Sequence, residues 1–335
     1  MPLSPLTTLK IGGDARYFVR AEAEEQVVDA VRFAEDRGLT LFVLGGGSNI
    51  VVSDAGFDGV VLQIGLKGRQ LDYTGNDVSI AVGAGENWDE LVEFCVSNDL
   101  AGLECLSGIP GFVGGTPIQN VGAYGQEVSE SIMSVRCFDR ESRKIVELSN
   151  DDCCFSYRTS IFNSTARDRY IVLVVTFSLT KGGEPKIAYK DIIDIFAGQR
   201  PALKKVRDVV LQIRRSKSMV IDAADENRKS AGSFFKNPIV EAEKLRELKS
   251  LNAHVSFFAF GEKFKIPAAW LIENAGFCRG FAIGNAGIST NHTLALINRG
   301  GATAAEMIFL KDTIQQTVAR KFGIDLQPEP VFVGF

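Results

Sequence analysis

The chain has 335 residues, more than a single hydrophobic core usually serves, so two or three lobes are expected. Its 37 basic and 41 acidic residues give a net charge of -4, which argues against nucleic acid as a partner. The most apolar stretch, 171–177, is far too short to span a bilayer. Met1-Pro2-Leu3-Ser4-Pro5 lacks the features of a signal peptide, so a cytoplasmic protein is expected.

Glu22, Glu24 and Glu25 in a first turn, Val27, Val31 and Ala34 at helical spacing, and Gly38 as a stop predict an amphipathic helix over 21–37. A β-rich run at 39–44 follows and ends in Gly45-Gly46-Gly47. Strands are expected at 58–64 and 77–82. Asn87 reads as an N-cap with Glu90 at the third helical position, and Leu91, Val92 and Cys95 give that helix an apolar face. Strands resume at 135–139 and 170–179. The segment 203–215 is helical, with Val206, Val210 and Ile213 on one side. Pro267 suits the first turn of a helix ending at Gly276. Thr303 with Glu306 forms a capping box for a helix through Leu310, Ile314 and Val318 to Gly323. The class is α+β.

Cys95, Cys105, Cys137, Cys153, Cys154 and Cys278 contain no Cys-x-x-Cys pair, so reduced thiols are expected and no metal. With only His254 and His292, histidine-based chemistry has few candidates. Three glycine-rich stretches begin at Gly45, Gly83 and Gly108. Each alone reads as a tight turn, but three together favour a bound dinucleotide, because bare amides can converge on a pyrophosphate. Ile50 stands where a third Rossmann glycine would fall, and neither a P-loop nor a Gly-x-Ser-x-Gly elbow is present. The stretch 118–125 adds amide side chains that would suit a planar heteroaromatic ring, although alone it reads as a loop. Arg158, among aromatic residues, would suit a carboxylate, although from this segment alone a surface arginine beside a strand is the better reading. Ser233, before Phe234 and Phe235, is either a hydroxyl at the edge of a dry pocket or a turn serine. Glu329 is held between Pro328 and Pro330, in a stiffened presentation or a plain exposed turn.

Taken in order, Thr8-Leu9-Lys10-Ile11-Gly12-Gly13, Leu44 to Asn49, Ile109-Pro110-Gly111, Pro117 to Gly125, Tyr157-Arg158, Gly232 to Pro238 and Pro328-Glu329 resemble the UDP-N-acetylenolpyruvoylglucosamine reductase family. These are flavoenzymes that complete UDP-N-acetylmuramate for peptidoglycan. The resemblance implies a two-lobed FAD-binding region of the vanillyl-alcohol-oxidase type and a C-terminal α+β substrate lobe. The lobes would be 1–65 joined by a returning strand at 324–335, then 66–216, then 217–323. It implies Arg158, Ser233 and Glu329 as catalytic residues. FAD would meet Leu44, Gly45, Gly46, Gly47, Ser48, Asn49, Ile109, Pro110, Gly111, Gly114, Gly115, Ile118, Gln119, Asn120, Gly122, Ala123, Tyr124, Gly125 and Val172. Tyr189, Arg214, Lys217 and Asn237 would meet the UDP-sugar. The segment 289–293, with Asn291 and His292, departs from the family's usual form.

The resemblance further implies a hydride passing from NADPH through FAD to C3 of the enolpyruvyl group, with Ser233 supplying a proton at C2. FAD is expected to be non-covalent: Ser48-Asn49 stands where some related folds tether flavin through histidine, although a cysteinyl bond to Cys95 or Cys105 stays open. A monomer is expected. Two rival readings are a flavin oxidase of the same fold, which has no reason to carry Gly-Ser-Phe-Phe-Lys-Asn-Pro, and a non-catalytic nucleotide-sugar sensor. The sensor would not need Arg158, Ser233 and Glu329 together.

Overall fold

The apolar stretch at 171–177 lies within the longest strand, Tyr170–Lys181, where Ile171, Leu173, Val175 and Phe177 are all buried. In the computed structural model, which describes residues 1–335, this strand sits inside an antiparallel sheet. The order across the sheet is Lys144–Ser149, Ile132–Asp139, Tyr170–Lys181, Asp77–Gly83 and Arg69–Thr74. The strand has neighbours on both edges; it is buried on both faces at 171–173 and alternates beyond, with Val175, Phe177 and Leu179 inside and Ser178 and Thr180 exposed.

Packing sorts the chain into two units. The first holds Met1, 15–47 and 58–220; the second holds 2–14, 48–57 and 221–335. In the first unit the helices are α1 (Glu24–Asp36), α2 (Trp88–Ser97), α3 (Lys190–Phe196) and α4 (Leu203–Ser216). A smaller sheet pairs Leu41–Leu44 with Phe57–Ile64 in parallel and adds Ala15–Ala21 on the other side. Helix α1 starts later than position 21 because Ala21, fully buried, closes the strand Ala15–Ala21; strand pairing outweighs helical spacing there. The side chain of Gln26 then caps the helix by accepting from the amides of Glu22 and Ala23 at 2.7 and 3.2 Å. Helix α2 begins as expected, with the Asn87 side chain accepting from the Glu90 amide at 3.2 Å.

The second unit contains α5 (Ala242–Leu251), α6 (Ala268–Asn274) and α7 (Ala304–Phe322). Pro267 is the residue before α6 rather than its first turn. Thr303 and Glu306 form the expected capping box on α7, and Gly323 closes it in the left-handed region. The strand Val331–Val333 runs parallel to Ile50–Val52, so the C-terminus pairs with the segment just after the first glycine stretch. Residues 2–14 and 48–57 pack with the second half of the chain. Leu9, Ile11 and Val51 belong to the core that contains Phe234, Phe235, Leu296 and Leu310. Asp54 adds a polar tie, accepting from the α7 amides of Ala304 and Ala305 at 2.7 and 3.0 Å.

Candidate active site

In the first unit the glycine stretches meet one another backbone to backbone. A Cβ added at Gly46 would lie 2.7 Å from Gly111 Cα, and one at Gly114 would lie 2.6 Å from Ala84 Cβ. Both distances are too short for any side chain, so these glycines serve the contact between loops. The stretch from Gly83 is a support for the one from Gly108: Gly114 N donates to Ala84 O at 2.9 Å, Val113 N to Glu86 O at 2.9 Å, and Trp88 N to Gly111 O at 3.1 Å. By contrast, nothing lies within 4 Å of a Cβ at Gly45 or Gly115, and neither has a left-handed backbone. Their bare faces are not needed by the protein's own packing. Leu44 and Val172 are buried, whereas Ile109, Pro110, Ile118, Gln119, Ala123 and Tyr124 are half-buried along the same loops.

The Asp89 carboxylate braces this region. It accepts from Gly108 N at 2.6 Å and from both Arg207 terminal nitrogens at 2.6 and 2.9 Å. Burial alone would raise its pKa, but the Arg207 and Gly108 hydrogen bonds together hold it below the ordinary carboxylate value. Nothing in the sequence marked Asp89 beyond its place in a first helical turn.

Arg158 sits in the turn 156–159, closed by Ser156 N to Thr159 O at 2.9 Å and Thr159 N to Ser156 O at 3.0 Å. Its Nη2 donates to Gly122 O at 2.8 Å, and its guanidinium carbon lies 5.4 Å from the Tyr157 ring centre. Arg158, Asn120 and Tyr124 have φ of 53°, 44° and 50°. Such angles are uncommon outside glycine and persist where surrounding contacts fix them, often at functional sites.

Of the residues expected at the UDP-sugar, Tyr189, Arg214 and Lys217 fall in this unit and Asn237 in the second. Tyr189, just before α3, meets Tyr124 edge to face at 5.4 Å. Arg214 lies in the last turn of α4 and Lys217 just beyond its end, with Lys217 Nζ 3.9 Å from Asp191 Oδ2. Arg214 Nη2 donates to Met219 O at 2.6 Å, whereas its Nε is buried without a partner. Burial pulls the Arg214 guanidinium down from its usual range, against the opposing pull of Tyr124 and Asp89. Burial likewise pushes both phenols up. Arg214 beside Tyr124, with Lys217 just past the end of the same helix, supplies donors of the kind that suit a diphosphate.

In the second unit, Ser233 ends the strand Ser230–Ser233, whose pairing with Ala295–Asn298 shifts register between Ser230 and Ser233. Gly232 takes φ 73° at that irregularity, a conformation that favours glycine, and it turns the chain just before the hydroxyl. Phe234 and Phe235 are fully buried while Ser233 is half-buried. Glu329 N donates to Phe234 O at 2.9 Å, and Lys236 N to Gln327 O at 2.8 Å. Glu329 is therefore held in a backbone ladder beside the segment that carries Ser233. The Asn49 side chain donates to Glu329 O at 3.2 Å, and Val331 N donates to Asn49 O at 3.0 Å. Asn237 Oδ1 accepts from Ala268 N at 2.9 Å, which directs its NH2 end outward from α6 as a donor.

Cys95 and Cys105 are fully buried, and burial pushes both thiols up to about 12, which disfavours the thiolate. No group of side chains is arranged to hold a metal, and no helix is long and apolar enough to cross a membrane.

Comparison with known proteins covers the chain from end to end. The family description "FAD binding domain" matches residues 15–149, and "UDP-N-acetylenolpyruvoylglucosamine reductase, C-terminal domain" matches 224–333. A UDP-N-acetylenolpyruvoylglucosamine reductase of Thermobifida fusca is 45% identical over 100% of this chain and 97% of its own. One from Streptomyces coelicolor is 46% identical over 99% of this chain and 89% of its own. The crystal structure of the reductase from Thermus caldophilus superposes with a TM-score of 0.69 over 99% of this chain and 97% of its own, at 24% identity, and shares the fold. With relatives this similar along its whole length, the chain belongs to the UDP-N-acetylenolpyruvoylglucosamine reductase family.

Proposed function

We propose that this protein is an FAD-dependent, NADPH-consuming reductase that converts UDP-N-acetylglucosamine enolpyruvate to UDP-N-acetylmuramate in peptidoglycan precursor synthesis. The observation that carries the reading is the full-length identity of about 45% to reductases of that name. Two sequence features support it further: a sugar sensor has no need of Arg158, Ser233 and Glu329 together, and an oxidase has no reason to carry the run from Gly232 to Pro238.

The loops of the first unit fit FAD. The uncovered faces of Gly45 and Gly115 offer bare backbone to a pyrophosphate, and the half-buried Ile118, Gln119 and Ala123 offer a surface to a ring. Bound there, FAD supplies hydride transfer between NADPH and the enolpyruvyl group. Arg158 then neutralises the substrate carboxylate as negative charge spreads onto it from C2. Loss of one such preorganised donor lowers a rate about a hundredfold or more. Ser233 delivers a proton to C2. A serine hydroxyl is a weak acid and donates only to a strongly basic carbon, which restricts its action to the moment after hydride arrives. Glu329 aids the same charge only when it carries a proton, because a carboxylate would oppose it. Tyr189, Arg214, Lys217 and Asn237 hold the UDP-sugar.

In this reading 1–65 with 324–335 and 66–216 are the flavin lobes and 217–323 the substrate lobe, a division by ligand and not by packing. The protein acts as a cytoplasmic monomer. The purified protein should be yellow, bleach with NADPH, and regain its colour on adding UDP-N-acetylglucosamine enolpyruvate. A colourless protein that FAD fails to reconstitute would overturn the proposal.

A further inference from the structure

Asn120 lies among residues expected to meet FAD, yet its side chain is fully buried and bonded to protein. Its Nδ2 donates to Glu127 Oε2 at 2.7 Å and to Ser156 O at 3.1 Å, which engages both amide hydrogens. Its Oδ1 accepts from Ser129 N at 3.1 Å. Ser156 opens the turn that carries Arg158. Arg158 in turn reaches back to Gly122 O at 2.8 Å, and Gly122 pairs with Glu127 in a two-residue antiparallel ladder. The contacts form a closed circuit from Asn120 to Ser156, Arg158, Gly122, Glu127 and back to Asn120.

Gly122 makes the circuit tight. A Cβ there would lie 2.9 Å from Glu127 Cγ and 3.2 Å from Arg158 Nη1, so a side chain would shift Glu127 and crowd the guanidinium. Asn163 Nδ2 adds a hold on the Arg158 carbonyl at 3.1 Å. Asn120 and Arg158 both have left-handed backbones, a state that asparagine tolerates and that arginine adopts rarely, so the strain lies at Arg158.

We propose that Asn120 is a positioning residue for Arg158: by bonding Ser156 O and Glu127 at once, it refers both the arginine's turn and its guanidinium to one loop. The inference rests on Arg158 acting in the reaction proposed above. A misplacement of about 1 Å in a charge-stabilising group can lower turnover about a hundredfold, so one internal hydrogen bond is enough to matter.

Asn120→Asp keeps the volume and tolerates the left-handed backbone, but it removes both donors and sets a second carboxylate against Glu127. We expect kcat to fall about 10- to 100-fold. KM for the enolpyruvyl substrate and the rate of flavin reduction by NADPH should stay within about twofold of wild type. FAD affinity measured by calorimetry should also be unchanged. Asn120→Gly, which keeps the backbone without adding charge, should behave alike and serves where the aspartate variant does not fold. In an Arg158→Ala background, Asn120→Asp should add less than about a twofold loss, since it acts through that arginine. An equal loss in both backgrounds, or FAD affinity weakened about tenfold with kcat intact, would overturn the inference. Normal turnover in Asn120→Asp beside a slow Arg158→Ala would sink this inference alone. Normal turnover in Arg158→Ala would refute the functional reading and this inference with it.

Discussion

Four glycine-to-alanine changes separate glycines that serve the protein's own packing from those that leave room for a ligand. At Gly46 the new methyl would meet Gly111 Cα at 2.7 Å, Gly111 C at 3.0 Å and Phe112 N at 3.1 Å, all of them backbone. Ordinary contact begins at 3.4 Å, so the two loops must part by roughly 1 Å in the protein without cofactor. At Gly114 the methyl would meet Ala84 Cβ at 2.6 Å, with the same consequence. Overpacking of this kind costs about 1–3 kcal/mol. For a unit of this size each kcal/mol shifts Tm by about 2–4 °C, so apoprotein Tm should fall by roughly 2–12 °C. Gly45→Ala and Gly115→Ala meet no protein atom and no backbone strain. Their apoprotein stability should hold or rise by up to about 1 kcal/mol, because alanine restricts the unfolded chain. If FAD lies against those bare faces, however, the methyl should cost about 1–3 kcal/mol of binding, or roughly 5- to 150-fold in Kd. Scanning calorimetry of the apoprotein and a flavin fluorescence titration read the two effects separately. Gly45→Ala and Gly115→Ala proteins that bind FAD as wild type would refute the cradle; unchanged apoprotein stability in Gly46→Ala would refute the contact argument.

Ser233→Ala should leave NADPH-driven flavin reduction intact and stall turnover of the enolpyruvyl substrate; undiminished single-turnover reduction of that substrate would remove Ser233 from the mechanism. Asp139 is almost fully buried and accepts from Arg169 at 2.9 and 2.8 Å, and these bonds chiefly hold its carboxyl well below the usual range. A depressed folded pKa means the stabilisation is complete above the unfolded value of about 4 and is lost as pH falls towards the folded one. The Tm deficit of Asp139→Asn should therefore be constant above about pH 5 and shrink below about pH 4; a deficit independent of pH would contradict the pairing. Burial pushes the Cys153 thiol up to about 12 and raises Cys137 as well, as for Cys95 and Cys105, while Cys154 and Cys278 are exposed. Two thiols should react at pH 8 in the native protein and six in denaturant, and acid precipitation should release the flavin into solution. Flavin retained on the precipitate would contradict non-covalent binding.

Local signals were legible in the sequence wherever one side chain answers a neighbour three or four residues away. The Asn87 cap, the Thr303–Glu306 box and the Gly323 stop are of this kind, and so is the buried strand around 171–177. The strand Arg69–Thr74 was not legible, because most of its side chains face solvent and carry no apolar alternation. Strands of two to four residues, such as Phe258–Phe260 and Ala282–Ile283, are too short to show a period. For the site, residue types were legible but their free valences were not. Ser233 stood evenly between a turn serine and a proton donor; Gly232 in its left-handed conformation, two buried phenylalanines and Glu329 laddered against Phe234 supply a context that only long-range pairing creates.

Asn120 and Asn237 show the same limit from opposite sides. Both are amides beside glycine-rich or aromatic motifs, and composition treats them alike as ligand contacts. Folding engages both hydrogens of Asn120 with Ser156 and Glu127, whereas it engages the oxygen of Asn237 with Ala268 and directs the NH2 end outward. A polar residue's role is set by whichever donors and acceptors the fold has not already satisfied. The glycines obey the same logic sterically: Gly46 and Gly114 are filled by their neighbours, and Gly45 and Gly115 are not. A motif therefore names the candidates, and the bonds and contacts left unmade decide which of them face a ligand.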